Sequence, residues 1–317
     1  MKAELLVFLA AAGLSAFFCA LAIPVLRKLH AGQYILGYVE EHKSKSGTPT
    51  MGGLAFVAAA AVAAAAAGLF ADRLSAVSLT LGFAYLAVGF IDDFLKFRFR
   101  RNLGLRAYQK ILFQLAIAVI AGVFCYVNGL TVLNVPFTGY AVDIGAWIIP
   151  LAIVAFIATV NSVNLTDGLD GLAASVGICY FISFDFLASA LAGGRTSLSS
   201  LSVILGGVLA GYLLFNTNKA SVFMGDTGSL SLGGFAASIA VFGGNALYIP
   251  VIGIMFVLSS ISVIIQVIYY KRTKKRVFLM APLHHHFQKK GYSESKIVYA
   301  YALITAAAGI LCVCFVQ

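Results

Sequence analysis

The feature that most constrains this chain is a series of apolar runs, each close to 20 residues long. A helix of about that length crosses the hydrocarbon core of a bilayer, which is roughly 30 Å thick. Charged residues make up only 11% of the chain, too few to cover a soluble surface. Because backbone groups find no water in the bilayer core, these runs should form helices, and the alternating pattern of a membrane β-barrel is absent. We therefore predict an all-α polytopic membrane protein.

Ten runs are predicted as transmembrane helices. Their predicted bounds are 3–26, 52–71, 75–95, 109–128, 146–164, 169–192, 197–215, 227–243, 246–270 and 295–316. The fifth, seventh and eighth runs are short and rich in Gly, Ser or Asn, so we expect some of them to be tilted or broken. Residues 129–145 carry β-branched residues, a proline and glycines, which predicts a short hairpin outside the membrane. We interpret residues 1–317 as a single integral membrane domain.

The distribution of Lys and Arg indicates which side of the membrane each loop occupies. Loops after the odd-numbered runs hold 19 of the 22 Lys and Arg residues. Basic residues collect in cytoplasmic loops, so this bias places those loops in the cytoplasm and both termini outside. The same bias explains the net charge of +10 without nucleic acid, for which the chain offers no soluble basic domain.

Acidic and amide side chains form two groups on the predicted cytoplasmic side. Asp92 and Asp93 end the third run, where adjacent carboxylates either hold a proton or recruit a cation; the alternative is an ordinary polar helix end. Asn164, Asp167 and Asp170 recur at a spacing of three, which places them on one helical face. Carboxylates with an amide suit Mg²⁺, whereas a helix cap would explain only one of the three residues.

Three further polar segments fall on the same side. Asp226 stands between two glycines before the eighth run, where it either caps that helix or borders an anion site. His284, His285 and His286 precede two lysines and suit the binding of a diphosphate. Residues 43–53 (KSKSGTPTMGG) resemble a phosphate-binding loop but are too loose for a P-loop signature. We predict that all five groups share one active site for Mg²⁺, phosphates and a membrane-embedded co-substrate.

These motifs resemble those of the polyprenyl-phosphate N-acetylhexosamine-1-phosphate transferase superfamily. The matching segments, in order, are GTPTMGG at 47–53, GFIDD at 89–93, NLTDGLDGLA at 164–173, FMGDTGSL at 223–230 and PLHHHF at 282–287. GTPTMGG and the triple histidine resemble the muramoyl branch. The resemblance implies transfer of phospho-MurNAc-pentapeptide from UDP-MurNAc-pentapeptide to undecaprenyl phosphate, giving lipid I and UMP. It also implies Mg²⁺ and an active site on the cytoplasmic face of a bacterial membrane.

The resemblance implies roles for individual residues as well. Asp226 and Asn164 would hold Mg²⁺, and either Asp92 or Asp93 would remove a proton from the lipid phosphate before it attacks. A two-step route, in which an Asp attacks first, stays open. The residues expected to contact the substrates are Lys45, Thr50, Lys110, Asn164, Asp167, Asp170, Asn216, Phe223, Gln266, His284, His285 and His286. A ring such as that of Phe223 could stack on the uracil. The family also suggests a homodimer.

Two other functions are kept as alternatives. The first is a sister transferase that passes GlcNAc-1-phosphate from UDP-GlcNAc to the same lipid. The second is a transporter or flippase for an anionic substrate, which needs charges along a path across the membrane. The predicted helices are nearly free of acids apart from Asp185, to which we assign no role.

Overall fold

The computed structural model describes residues 2–29, 47–99 and 104–316, and within these ranges the chain is mostly helical. The helices are α1 (Lys2–Lys28), α2 (Gly53–Ala66), α3 (Arg73–Phe99), α4 (Ala107–Val127), α5 (Ile148–Thr166), α6 (Leu172–Leu191), α7 (Ser197–Asn216), α8 (Gly225–Phe242), α9 (Ile249–Ile252), α10 (Ile254–Thr273), α11 (Leu283–Lys289) and α12 (Glu294–Cys314). The strands are β1 (Val132–Asn134) and β2 (Ala141–Asp143), and short 3-10 helices occupy Gly145–Trp147 and Ala246–Tyr248. The mostly helical fold agrees with the predicted class.

Eight helices in the described ranges are long and apolar enough to cross a bilayer, namely α1, α3, α4, α5, α6, α7, α10 and α12. The chain is therefore a membrane protein. The other two predicted spans correspond to α2 and α8. With 14 residues, α2 extends over about 21 Å, less than the hydrocarbon thickness of roughly 30 Å. The count of ten spans and the outer position of both termini stay predictions.

The ninth predicted span, at 246–270, is interrupted in the structure. There the chain forms the 3-10 helix Ala246–Tyr248, then the single turn α9, and then α10. Pro250 sits at the start of α9 and lacks an N–H group, and Gly253 separates α9 from α10. The sequence predicts that some of the fifth, seventh and eighth spans are tilted or broken. In the structure α5, α7 and α8 are each continuous, so none of them is broken, and their tilt stays a prediction.

The predicted hairpin is present between α4 and α5. β1 and β2 are antiparallel, with Val132 opposite Asp143. The side-chain amide of Asn134 donates to Asn245 Oδ1 at 2.9 Å, and its backbone N–H donates to the carbonyl oxygen of Gly244 at 2.8 Å. These bonds hold the hairpin against the turn that follows α8, at the end of the bundle opposite the N-terminus of that helix.

Helix α8 forms the centre of the fold. All of its residues from 227 to 242 are buried, and it packs antiparallel to α3 and α5 and also against α2. Small side chains allow this, because a Cβ atom on Gly53 would overlap the backbone of Gly228, and one on Gly233 would lie 2.5 Å from the Cα of Val160. Since α8 is antiparallel to α3 and α5, its first residues lie beside the ends of both helices.

Candidate active site

Backbone contacts join the GTPTMGG and FMGDTGSL segments, which are far apart in the sequence. The backbone N–H of Phe223 donates to the carbonyl oxygen of Pro49 at 2.8 Å, and the N–H of Gly52 donates to the carbonyl oxygen of Phe223 at 2.8 Å. This pairing holds the segment just before α2 against the segment just before α8. The segments therefore meet at the end of the bundle where α3 and α5 end.

Asp92 and Asp93 lie in the last turns of α3 and are buried, with exposed fractions of 1% and 3%. Asp93 Oδ2 accepts hydrogen bonds from the backbone N–H of Thr227 at 2.9 Å and from its hydroxyl at 2.7 Å. Asp92 Oδ1 accepts from the backbone N–H of Leu105 at 2.8 Å. Both carboxylates are thus fixed by groups from other segments, as a pre-organised site requires.

Asp226, in the first turn of α8, faces two lysines. Its Oδ2 lies 2.9 Å from Lys96 Nζ and 2.7 Å from Lys110 Nζ. Lys96 Nζ also lies 2.6 Å from Asp92 Oδ2 and 3.6 Å from Asp93 Oδ1. Lys110 Nζ is 3.5 Å from Asp92 Oδ2. Two ammonium groups thereby neutralise much of the charge that three neighbouring carboxylates bring together.

The three carboxylates also have the spacing of a metal site. One ligand oxygen each from Asp92, Asp93 and Asp226 lie within 4.8 Å of one another. Carboxylate oxygens are the protein ligands that Mg²⁺ prefers. The lysine ammonium groups occupy the position of a cation among these oxygens. Both the donor set and the stand-in cations fit a hard divalent ion.

Asn164, near the end of α5, contacts Asp226 through its amide nitrogen. Its Nδ2 atom donates to Asp226 Oδ1 at 2.7 Å and to Ser229 Oγ at 2.8 Å. A metal ligand would present the carbonyl oxygen instead, which a half-turn of the amide group would achieve. In the observed geometry Asn164 orients Asp226, and its role as a ligand stays a prediction.

Asp167 and Asp170 follow α5 in the loop before α6. Asp170 Oδ2 accepts a hydrogen bond from the backbone N–H of Ala220 at 3.0 Å, which ties this loop to the loop after α7. Burial, together with the nearby charges of Asp226 and Asp93, raises the pKa of Asp167 to about 8. This shift favours the neutral form of the Asp167 carboxyl, which can donate a hydrogen bond as an ionised carboxylate cannot.

The triple histidine begins α11, and its first member packs against the loop after α5. His284 is fully buried, and its Nε2 atom approaches Gly168 so closely that a Cβ atom there would overlap the ring. Burial and the neighbouring His285 lower the pKa of His284 to about 3, so the ring is neutral. His285 Nδ1 lies 3.0 Å from Gln288 Oε1. The PLHHHF segment thus joins the other four at this end of the bundle.

His286 and Gln266 hold the loop between α10 and α11. His286 Nδ1 accepts a hydrogen bond from the backbone N–H of Leu279 at 3.1 Å. Gln266 Oε1 accepts from the backbone N–H groups of Phe278 at 2.9 Å and Val277 at 3.1 Å. Both side chains therefore shape the loop, and their predicted contacts with the substrates stay predictions.

Asn216 and Thr50 also lie among these segments. Asn216 is buried; its Oδ1 accepts from the backbone N–H of Gly171 at 3.1 Å, and its Nδ2 donates to the carbonyl oxygen of Val222 at 2.9 Å. The Thr50 hydroxyl is beside Gly225, whose φ of 71° and crowded surroundings exclude a side chain. Asn216 therefore links two loops of the site, and Thr50 faces the start of α8.

Of the remaining predicted residues, Lys45 lies outside the described residues. The half-buried Phe223 is next to the site through the backbone pairing given above, and its stacking on uracil stays a prediction. Lys96 is the candidate that the sequence analysis missed. A signal was present, because Lys96 follows Asp92 by four positions and Asp93 by three, so that all three share a face of α3.

Buried carboxylates, two lysines and a histidine-bearing loop at one end of a membrane bundle define a helical membrane enzyme suited to phosphoryl transfer. Residues 74–244 match the family model for glycosyl transferase family 4, and residues 45–57 match phospho-N-acetylmuramoyl-pentapeptide-transferase signature 1. The first match covers more than half of the chain.

Comparison with curated relatives identifies the family more specifically. The phospho-N-acetylmuramoyl-pentapeptide-transferase of Caldanaerobacter subterraneus subsp. tengcongensis is 44% identical over 90% of this chain and 90% of that protein. The enzyme of the same name from Clostridioides difficile is 40% identical over 89% of this chain and 88% of that protein. This chain therefore belongs to the phospho-N-acetylmuramoyl-pentapeptide-transferase family. The resemblance noted in the sequence is confirmed, and these relatives support neither a GlcNAc-1-phosphate transferase nor a transporter.

Proposed function

We propose that this chain transfers phospho-MurNAc-pentapeptide from UDP-MurNAc-pentapeptide to undecaprenyl phosphate, forming lipid I and UMP for peptidoglycan synthesis. The observation that carries the proposal is the cluster of three carboxylates and two lysines at one end of the bundle, in a chain of this family. The reaction exchanges one phosphoanhydride for another, so it needs alignment and charge neutralisation more than a large driving force.

The active site faces the cytoplasm in this proposal. Basic residues end three of the helices that reach the site end of the bundle, namely α1 with Arg27 and Lys28, α3 with Lys96 and Arg98, and α10 with Lys271 and Arg272. Basic helix ends and loops are characteristic of the cytoplasmic side. At that face a water-soluble nucleotide substrate can meet the phosphate of a lipid that stays in the bilayer.

Mg²⁺ would be held by Asp226 and by whichever of Asp92 and Asp93 does not act as the base, with Asn164 joining them after rotation of its amide. When bound, the ion neutralises the diphosphate and stabilises the charge on the departing UMP. The protein's own cations, Lys96 and Lys110, lie at the same carboxylates and supply further positive charge for phosphate groups.

The lipid phosphate is the nucleophile. A remaining proton on it passes to Asp92 or Asp93, and the deprotonated oxygen then attacks the β-phosphorus of the nucleotide in line. Asp93 is fixed by Thr227 and Asp92 by Leu105, so each keeps one carboxylate oxygen directed to the cluster. Asp167 and the histidine-bearing loop border the same end of the bundle, where the nucleotide and its diphosphate would enter.

The test is an assay of the detergent-purified protein with undecaprenyl phosphate and Mg²⁺. UMP release is expected with UDP-MurNAc-pentapeptide and is expected to require both the lipid and the metal. UDP-GlcNAc serves as the matched donor control. Turnover with UDP-GlcNAc alone would contradict the proposal in favour of the sister transferase. We further propose a homodimer, which a monomer mass in native detergent micelles would contradict.

A further inference from the structure

The ammonium group of Lys96 lies where a metal ion would have to bind. Its Nζ atom is 2.6 Å from Asp92 Oδ2, 2.9 Å from Asp226 Oδ2 and 3.6 Å from Asp93 Oδ1. These are the three carboxylates whose ligand oxygens lie within 4.8 Å of one another. Lys110, by comparison, forms ion pairs with two of these three carboxylates, those of Asp92 and Asp226. Lys96 therefore lies close to all three candidate carboxylate ligands.

We propose that Lys96 and the divalent cation compete for these carboxylates: Lys96 neutralises the cluster before the metal binds and is displaced when it binds. Mg²⁺ binds oxygen at about 2.0–2.1 Å and demands a nearly ideal octahedral shell. An ammonium group in close contact with the oxygens of Asp92 and Asp226, and 3.6 Å from that of Asp93, occupies part of that shell. This inference rests on the metal site of the proposed function.

Lys96 is the partner that is able to move. Its side chain is 34% exposed, whereas the side chains of Asp92 and Asp93 are 2% and 4% exposed. Thr227 and the backbone of Leu105 fix the two acids, as described above. A lysine head group sits on a flexible four-carbon stem, so it can swing away while its helix stays in place.

If the metal displaces Lys96, then removing the lysine should have two effects, one on stability and one on metal affinity. A chain without the Lys96 ammonium leaves three clustered carboxylates, two of them buried, less neutralised, so its metal-free form should be less stable. The same chain should bind the metal more tightly, because the ion no longer has to displace an ammonium group. A lysine that only stabilised the fold would give the first effect without the second.

The experiment titrates the detergent-purified, full-length protein with Mn²⁺ alone and follows the free ion by electron paramagnetic resonance. Lys96→Met is expected to lower the Kd for Mn²⁺ at least about fivefold, since even a solvent-screened contact charge has that effect. The control is Arg98→Met, which removes the same charge from an exposed position on the same helix. It should change the Kd by less than about twofold, because solvent and salt screen distant charges.

Thermal unfolding of the same samples separates an effect of Lys96 on metal binding from an effect on stability alone. Lys96→Met should unfold at a lower temperature than wild type without metal and should show the larger increase on addition of Mg²⁺. A Kd for Lys96→Met equal to or weaker than that of wild type would overturn the competition. If Asp226→Asn loses Mn²⁺ binding in that case, the proposed metal site still stands. If wild type and Asp226→Asn bind Mn²⁺ equally, both inferences are wrong.

Discussion

The two oxygens of the Asp226 carboxylate have different partners at the start of α8. One oxygen accepts a hydrogen bond from Asn164, and the other faces the ammonium groups of Lys96 and Lys110. An amide in this place would present a donor where a second anionic oxygen is needed, and it would leave two lysines without their common partner. The charge of this one side chain therefore matters more than its shape.

Asp226→Asn should lower turnover at least about 100-fold, the scale of losing one key electrostatic group in an active site. We expect the variant to insert into the membrane normally, since its size is unchanged. UMP release measures turnover, and the amount of protein in the membrane fraction measures insertion. Near-normal turnover would contradict a role of Asp226 in catalysis or metal binding.

His284 gives a pH-dependent contribution to stability. Its pKa is about 3 in the folded chain, against an ordinary value of about 6.5. Below pH 6.5 the unfolded chain takes up a proton that the folded chain does not, so stability falls as the pH decreases from about 6.5 to about 3. Between pH 6.5 and pH 5 the predicted loss is about 2 kcal/mol.

His284→Gln should remove this dependence, because the amide does not titrate. The measurement is the temperature of unfolding in detergent at pH 7 and at pH 5, for wild type and the variant. His285→Gln is the matched control, since His285 is less buried. An equal decrease in wild type and His284→Gln would show that other groups cause the acid sensitivity.

At the scale of the elements, close packing between α8 and its neighbours depends on glycine. A methyl group on Gly233 would lie 2.5 Å from the Cα of Val160 in α5. The backbone of α5 would have to move, which also shifts Asn164 at the end of that helix. Packing at these positions therefore influences both the stability of the bundle and the geometry of the site.

Gly233→Ala is expected to destabilise the protein by about 1–3 kcal/mol, as overpacking of a close-packed core does. The control is Gly13→Ala in α1, where nothing lies within 4 Å of the added Cβ and alanine favours the helix. Thermal unfolding in detergent compares the two variants with wild type. A Gly233→Ala protein as stable as Gly13→Ala would mean that α5 and α8 separate at little cost.

Most helices could be predicted from the sequence because the length of an apolar run is a local property. The prediction misplaced helix ends where glycine or proline residues, and not a change in hydrophobicity, end the helix. The predicted second span reaches residue 71, but α2 ends at Ala66, and Gly68 adopts a φ of 70°, as glycine often does just after a helix. Pro250 and Gly253 gave a similar signal in the ninth span. A prediction based on hydrophobicity alone does not detect the helix ends that these residues cause.

The five site segments could also be predicted, because their charge and glycine content are unusual between apolar runs. Which atoms meet could not, since that depends on how the helices are packed. Lys96 is an example: its contact with Asp92 is local in α3, but its contact with Asp226 requires α3 and α8 to be antiparallel neighbours. The amide orientation of Asn164 likewise depends on Ser229 in another helix.

At the scale of the whole molecule, the hairpin and the active site lie at opposite ends of the bundle. Thr138 is exposed in the hairpin, and Lys274 is exposed after α10 at the site end. If the site faces the cytoplasm, a membrane-impermeant maleimide should label Thr138→Cys in intact cells and Lys274→Cys only after permeabilisation. The unaltered chain controls for its five native cysteines. The reverse labelling pattern would invert the proposed topology.

The burial of α8 has a consequence for biogenesis. Although it holds Asp226 and the centre of the core, α8 is absent from the eight described helices that are apolar enough to span a bilayer by themselves. Because residues 227–242 of α8 are all buried by protein, its neighbours and not lipid hold it in the bundle. α3 and α5, which emerge earlier from the ribosome, must be in place to receive it. Enzymatic competence should therefore be gained late, when α8 and its Asp226 pack against helices that have already entered the membrane.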